Sequence, residues 1–150
     1  MIRYARHLLV LLALTGATPA FAQSWHVAAM SGAKPDRTVY LLDTDSIART
    51  GDMVRFTTQS VFEKLTDTRD FDRSVTRREG NCATMSSTIV ENTYYAGGSY
   101  QNNDATRGNT IAHKENTIMY SVLAQACGKR QIEQGTVANP EAAVRAYFAQ

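Results

Sequence analysis

The chain has 150 residues and a formal net charge of +2, from 16 basic and 14 acidic side chains. This length is typical of a single domain. The near balance of charge argues against nucleic acid as a partner, because a basic surface supplies most of the affinity in nucleic-acid-binding proteins.

Residues 1–22 contain the three parts of a secretory signal peptide in the expected order. Arg3 and Arg6 precede a short apolar run over 8–14, and the segment ends in the small-residue pattern Ala20-Phe21-Ala22. The apolar run is too short to span a bilayer, which needs about 20 residues, and no later segment is apolar enough to do so. We therefore expect a formally neutral exported chain, in the periplasm or at the outer surface of a Gram-negative bacterium. The alternative is a buried N-terminal helix.

The first half of the exported chain predicts three strands. Residues 24–30 begin with a tryptophan, and residues 38–42 are rich in β-branched and aromatic side chains. Residues 53–64 alternate apolar and polar side chains, which is typical of a strand with one buried face. Between the second and third strands, residues 43–46 predict a turn, since Asp and Ser side chains bond to nearby backbone groups.

The second half predicts further strands and then a change of pattern. Residues 74–79 are charged and predict an exposed strand, residues 82–95 a long central strand that ends at a glycine pair, and residues 110–113 a short last strand. Residues 80–81 are predicted to form a turn, and the polar stretch 99–109 is predicted to be a hairpin loop.

Two helices are predicted near the end of the chain. Asn116 or Thr117 can cap the first helix, and Gly128 follows its end. Asn139-Pro140 is a strong start for a second, short helix that ends at Phe148, which either docks on the domain or forms a loose tail. Apolar side chains at steps of three and four define the buried face of the first helix: Ile118, Met119, Val122, Leu123 and Ala126.

Cys82 and Cys127 are the only cysteines. An even count in a small exported domain predicts a disulfide, with a stabilisation of about 4 kcal/mol from chain entropy. The bond would tether the first helix to the long strand; two free buried thiols are the alternative. One distant cysteine pair and two further histidines are too few ligands for a metal site, so neither a metal nor a cofactor is expected.

These elements predict an α+β fold: an antiparallel sheet of five or six strands, a disulfide-tethered C-terminal helix and a short terminal helix. The predicted domain covers residues 23–128, and residues 129–150 form a linker and the short helix. The sequence contains no internal repeats.

Side chains that could support catalysis are few. Asp43 and Asp45 follow a strand as the acidic pair of haloacid-dehalogenase-type phosphotransferases does, but the chain is too short for that fold and a turn is favoured. His26 and His113 could act as general bases, yet neither lies in a triad-like arrangement. We therefore expect that the protein is not an enzyme. The alternative is a small exported hydrolase that uses one of these histidines with Asp43 or Asp45.

A candidate binding surface lies near the end of the long strand. Tyr94, Tyr95 and Tyr100 cluster there with Asn102 and Asn103. Aromatic and amide side chains suit the binding of proteins or glycans; ordinary sheet aromatics are the alternative.

The densest basic segment lies just before that strand. Its arginines alternate with acidic residues, which predicts a solvated, salt-bridged face rather than a binding patch. The basic members are Arg69, Arg73, Arg77 and Arg78, and the acidic members are Asp67, Asp70, Asp72 and Glu79.

The order of these features resembles the surface-adhesin protein E family over residues 24–128. Trp25 opens the first strand, Tyr40 to Asp43 leads into Asp45-Ser46-Ile47, Cys82 stands at mid-chain, and Cys127 closes the helix. The resemblance implies an antiparallel sheet with a disulfide-tethered helix, and a non-enzymatic role in binding host matrix proteins or envelope proteins. A periplasmic structural or envelope-stress protein is the alternative function.

Overall fold

A computed structural model of the protein describes residues 23–132 and 135–150. The predicted signal peptide, residues 1–22, lies outside the described residues, and its existence stays a prediction. The boundaries predicted for the domain stay predictions as well.

The described chain forms an antiparallel meander with two helices after the strands. Each strand pairs with the next one along the chain as far as the sixth, and a short seventh strand pairs with the fifth, beside the sixth. This architecture confirms the predicted α+β fold. The strands are β1 (Trp25–Ser31), β2 (Thr38–Thr50), β3 (Met53–Phe62), β4 (Arg73–Asn81), β5 (Ser86–Ala96), β6 (Ser99–Asp104) and β7 (Ile111–Ala112); the helices are α1 (Ile118–Ala126) and α2 (Pro140–Phe148).

The two helices cover opposite faces of the sheet. Leu41 and Leu42 are adjacent in β2, so their side chains point to opposite faces, and each belongs to a different buried cluster. The fold therefore has three layers, with α1, the sheet and α2 in that order. The α1 cluster contains Leu42, Val54, Phe56, Met85, Val122, Leu123, Ala124 and Ala126; the α2 cluster contains Trp25, Val39, Leu41, Val61 and Val144.

Helix α2 docks on the sheet through arginines, which decides between the two expectations for the terminal helix. The Arg37 guanidinium donates to the carbonyl oxygen of Phe148 at 2.5 Å and to the Glu63 carboxylate at 2.8 Å. Arg145 donates to the carbonyl of Phe62 at 2.8 Å and lies 2.8 Å from a carboxylate oxygen of Asp72. Arg37 therefore pairs a carbonyl at the C-terminal end of α2, and Arg145 joins the helix to the end of β3.

Strand β3 is buried on both faces in its second half, so the prediction of one buried face is wrong there. Val54 and Phe56 face α1, whereas Val61 packs in the α2 cluster and Gln59 is buried as well. The sequence shows only one apolar face because part of the surface under α2 is lined by polar side chains such as that of Gln59.

Strand β2 does not end at Asp43; it continues to Thr50, so the predicted turn is wrong. The side-chain bonds expected of a turn do form, inside an irregular stretch of strand. The backbone N–H of Asp45 donates to the Asp43 carboxylate at 3.2 Å, and the Ser46 hydroxyl donates to the Asp43 carbonyl at 2.7 Å. The Ser46 hydroxyl also accepts from the N–H of Thr57 at 2.8 Å, and this bond joins β2 to β3 across the irregularity.

The disulfide joins Cys82 to Cys127, with 5.6 Å between their Cα atoms, and confirms the predicted pairing. Cys82 lies in the turn between β4 and β5, because the long strand begins at Ser86 rather than at the cysteine. Cys127 is the C-cap of α1. The bond therefore tethers the end of the helix to a turn of the sheet, and Lys129 donates to the Cys82 carbonyl beside it.

Two other segments differ from the prediction. Gly80 and Asn81 are the last residues of β4, not a turn, and β4 is an inner strand between β3 and β5. Residues 99–104 of the predicted loop form β6, an exposed strand that pairs with β5. Polar composition indicated a loop there, but β6 lies at the sheet edge, where a strand needs no apolar face.

Candidate binding surface

The β5–β6 hairpin positions the predicted tyrosines. Its two-residue turn is Gly97-Gly98, with φ angles of +55° and +79°. Left-handed backbone at both positions is what a type I′ turn requires, and glycine adopts it without strain. Asp72 accepts from the N–H of Gly97 at 3.2 Å and its own N–H donates to the Tyr95 carbonyl at 3.0 Å, so the hairpin is anchored from outside as well.

Tyr95 and Tyr100 are direct partners across this hairpin. Their rings meet edge to face with centroids 6.2 Å apart. The Arg73 guanidinium lies 3.6 Å from the centre of the Tyr95 ring and 3.2 Å from a Glu141 carboxylate oxygen of α2, without hydrogen-bond alignment to that oxygen. Tyr95 is thus held between a cation and a second ring, while Tyr100 is 61% exposed.

Tyr94 points to the other face of the sheet. Its ring lies 4.6 Å from that of Phe71, which in turn contacts the Phe62 ring at 5.7 Å. Arg69 covers Phe62 with its guanidinium 4.0 Å from the ring centre. The structure therefore brings together Tyr95 and Tyr100 but places Tyr94 on the opposite face. The sequence could have indicated this, because adjacent residues of a strand point to opposite faces.

The amides next to the tyrosines have partners on β5. The Asn103 side chain donates to a Glu91 carboxylate oxygen at 2.7 Å and to the Thr93 hydroxyl at 3.1 Å. The side-chain oxygen of Asn102 accepts from the N–H of Asn103 at 2.8 Å. The Asn103 amide is consequently held in a fixed orientation beside the aromatic pair.

A ladder of ion pairs continues this face. Arg77 and Glu79 were expected in salt bridges, but their partners Arg55, Glu91 and Arg107 were not identified from the sequence. Arg77 lies 2.8 Å from Glu91, and Glu79 is shared by Arg107 at 2.7 Å and Arg55 at 3.2 Å. The bond from Arg107, aided by Arg55, lowers the pKa of Glu79 below its ordinary value. Partners such as Arg77 and Glu91 are opposite each other only once the strand register is known.

The basic segment forms the expected salt bridges only in part. Arg77 is exposed and solvated, but its acidic partner comes from β5 rather than from the alternating acids nearby. Arg73 is covered by Tyr95 and α2. Arg78 is half-buried: burial lowers its pKa, and its Nε has no hydrogen-bond partner among the described residues. The prediction of one solvated face is wrong for Arg73 and Arg78.

His113 lies beside a hydroxyl that sequence spacing did not reveal. Its Nε2 is 2.8 Å from the Ser87 Oγ. Burial and the nearby Arg78 charge lower the pKa of His113, so the neutral ring is favoured. Ser87 is itself buried in β5. Among the described residues, no carboxylate is hydrogen-bonded to the His113 ring. A buried hydroxyl without an oriented base does not form a triad.

The other candidates for chemistry are dispersed. His26 lies in β1, where its Nε2 is 3.4 Å from the Thr136 hydroxyl. Asp43 is buried within β2, and burial raises its pKa. Within residues 23–132 and 135–150, no three His, Cys, Asp or Glu side chains are close enough together to hold a metal ion. Neither helix of the described chain is long and apolar enough to cross a membrane.

Comparison with known proteins gives one family and a distant structural likeness. The sequence pattern of the family described as surface-adhesin protein E matches residues 27–128. The crystal structure of protein E from non-typeable Haemophilus influenzae is similar, with 15% sequence identity, a TM-score of 0.46, and coverage of 92% of this chain and 96% of that chain. No curated protein matches the chain.

Proposed function

This chain belongs to the surface-adhesin protein E family, and we propose that it is an exported, non-enzymatic domain that binds a protein ligand at the outer surface of a Gram-negative cell. The proposed site is the hairpin face formed by Tyr95, Tyr100 and Asn103. The exposed ring of Tyr100 beside a fixed Tyr95 is the observation that supports this site most directly.

The geometry of this face favours a binding role. Tyr and Asn are typical of recognition surfaces, because a tyrosine offers a large contact area with only two side-chain torsions to fix. Here Arg73 and the anchored hairpin already fix Tyr95. Binding at this face would therefore cost little side-chain entropy at Tyr95.

The proposed compartment rests on the signal-like residues 1–22 and on the disulfide. A bond between the only two cysteines suits an oxidising compartment outside the cytoplasm. The exported part then comprises the domain over residues 23–128 and the linker and helix over residues 129–150. A host matrix protein is the proposed ligand; a partner within the envelope would instead indicate a periplasmic role.

The binding site can be tested with Tyr100→Ala. The variant is assayed against a panel of purified extracellular-matrix proteins, together with a matched control, Ile111→Ala. Both residues are exposed at the edge of the sheet, at 61% and 59%, so the two positions are matched in exposure. We expect Tyr100→Ala to weaken binding by about tenfold or more, as for a central aromatic contact, and Ile111→Ala to leave it unchanged. Equal binding by both variants would exclude the hairpin as the site.

A further inference from the structure

Helix α2 is linked to the proposed hairpin site by two short chains of side-chain contacts. One passes through Asp72, the residue before β4, and the other through Arg73, the first residue of that strand. Both begin at charged side chains of the helix, which lies outside residues 27–128 that the family pattern matches. Membership of the family therefore does not by itself predict these links.

The first chain of contacts runs from Arg145 through Asp72 to the turn of the hairpin. The Arg145 guanidinium lies 2.8 Å from Oδ2 of Asp72, and the same oxygen accepts from the N–H of Gly97 at 3.2 Å. Arg145 also donates to the Phe62 carbonyl at 2.8 Å, which holds the guanidinium at the end of β3. One carboxylate oxygen thus joins the helix to the glycine turn.

The second chain of contacts runs from Glu141 through Arg73 to the tyrosine pair. Oε2 of Glu141 lies 3.2 Å from Nε of Arg73, and the Arg73 guanidinium lies 3.6 Å from the centre of the Tyr95 ring. Tyr95 in turn meets the exposed ring of Tyr100 with centroids 6.2 Å apart. Because a cation is attracted to the face of an aromatic ring, the charge of Glu141 helps to hold Arg73 on Tyr95.

The middle member of each chain of contacts is well covered. The side chains of Asp72 and Arg73 are 16% and 14% exposed, whereas those of Arg145 and Glu141 on the helix are 32% and 31% exposed. Ion pairs that are fully exposed contribute little, because water and salt screen them. Partial burial of these two pairs makes them more effective links.

The hairpin does not depend on α2 in order to form. The backbone N–H of Asp72 donates to the Tyr95 carbonyl at 3.0 Å, and β5 pairs directly with β6. Neither interaction involves the helix. Loss of the helix contacts would therefore loosen the turn and the Tyr95 ring without unfolding the hairpin, and local opening of this kind needs less free energy than global unfolding.

We propose that α2 is a positioning element of the binding site and holds the hairpin in the conformation that binds the ligand. Arg145 acts on the turn through Asp72. Glu141 acts on Tyr95 through Arg73. This assignment rests on the proposed function, because the hairpin is the proposed site. Linked sites affect each other equally, so a ligand that orders the hairpin also strengthens the docking of α2.

The link to the turn can be tested without a ligand, by amide hydrogen exchange of the exported chain, residues 23–150. Arg145→Gln removes the ion pair with Asp72, and we expect the N–H of Gly97 to exchange about fivefold faster, the lower end of ordinary coupling between sites. Arg130→Gln is the matched control, because Arg130 follows α1 on the opposite face and bonds to Ser121. Equal exchange of Gly97 in the two variants would overturn the proposal.

Urea separates positioning from a general loss of stability. Local opening exposes little surface, so the faster exchange of Gly97 in the Arg145→Gln variant should not change with urea below the unfolding transition. The amide of Val54, in the inner strand β3, reports global unfolding and should respond steeply. If Gly97 responds to urea as steeply as Val54, the substitution only destabilises the domain and the positioning role is wrong.

The second link is tested at the Tyr95 ring. Glu141→Gln removes the charge beside Arg73 and keeps the size of the side chain. We expect the NMR signals of the Tyr95 ring to shift, and those of Phe71, which packs on Tyr94 on the other face, to stay in place. Unchanged Tyr95 signals would exclude a role for Glu141.

Ligand binding separates this proposal from the proposed function. A matrix protein that binds the unmodified protein should bind the Arg145→Gln variant about fivefold more weakly. Added to Tyr100→Ala, the same change should have little further effect, because both act through one contact surface; additive losses would overturn the positioning role. Absence of binding to every matrix protein would contradict the proposed function, and the exchange experiment would still decide whether α2 controls the hairpin.

Discussion

At the scale of single residues, Gly80 shows how the sheet accommodates α1. It lies within β4, where a side chain would normally pack against the helix. A Cβ atom at this position would stand 2.6 Å from Leu123 Cδ1 and 3.1 Å from Val54 Cγ1. Both neighbours are completely buried, so neither can move aside without disturbing the α1 cluster. The close approach of the helix therefore leaves little room for a side chain at this position.

We predict that Gly80→Ala destabilises the protein by about 1–3 kcal/mol, the usual cost of an overpacked core. The free energy of unfolding is measured by denaturant titration with the disulfide intact. Gly135→Ala serves as control, because its Cβ would meet nothing within 4 Å and its effect should stay within about 0.5 kcal/mol. An equal effect of the two substitutions would contradict the close packing of α1 on β4.

At the scale of elements, the docking of α2 depends on Arg37 and Glu63. The guanidinium of Arg37 donates to both oxygens of the Glu63 carboxylate and lies 4.9 Å from the centre of the Tyr147 ring of α2. These bonds lower the pKa of Glu63 from its ordinary value of 4.5 to about 2. A carboxyl whose pKa is lowered by folding stabilises the folded state while it is ionised.

We predict that this stabilisation is complete above pH 4.5 and is lost as the pH falls from about 4.5 to about 2, when Glu63 takes up a proton. Trp25 reports on the change, because it is the only tryptophan and lies buried in the α2 cluster. Its fluorescence during urea unfolding is measured at each pH. Glu63→Gln should be less stable at pH 7 and should show a smaller decline over the acid range.

The control for that measurement is Glu115→Gln, since Glu115 is exposed before α1 and should not alter the pH profile. If the Glu63→Gln variant declines with acid as steeply as the unmodified protein, other carboxylates are responsible and the Arg37–Glu63 pair does not control docking.

Across the whole molecule, the helices and strands can be predicted from the sequence better than the contacts that join them. The apolar period of α1 and the cysteine count predict the tethered helix, because both are local signals of burial. The docking of α2 depends on Arg37 and Arg145, whose partners are far away along the chain. No periodicity reveals such contacts.

The candidate site was predictable to a similar extent. The glycine pair predicts the end of the strand, and alternation along a strand separates Tyr94 from Tyr95. That Tyr100 lies opposite Tyr95 depends on the register and on the extra residue, Gln101, in β6. The ion pairs of Glu79 and the Ser87–His113 contact likewise follow from strand pairing. Position along the chain does not determine these contacts.

Display of the protein outside the cell, where it would bind its ligand, can be tested by protease accessibility. A tagged protein is expressed in its own cells, protease is added to intact cells and to cells with an opened outer membrane, and the exported domain is followed over time. We expect loss of the domain from intact cells. Survival in intact cells with loss only after opening would place the domain in the periplasm and contradict the surface-binding role.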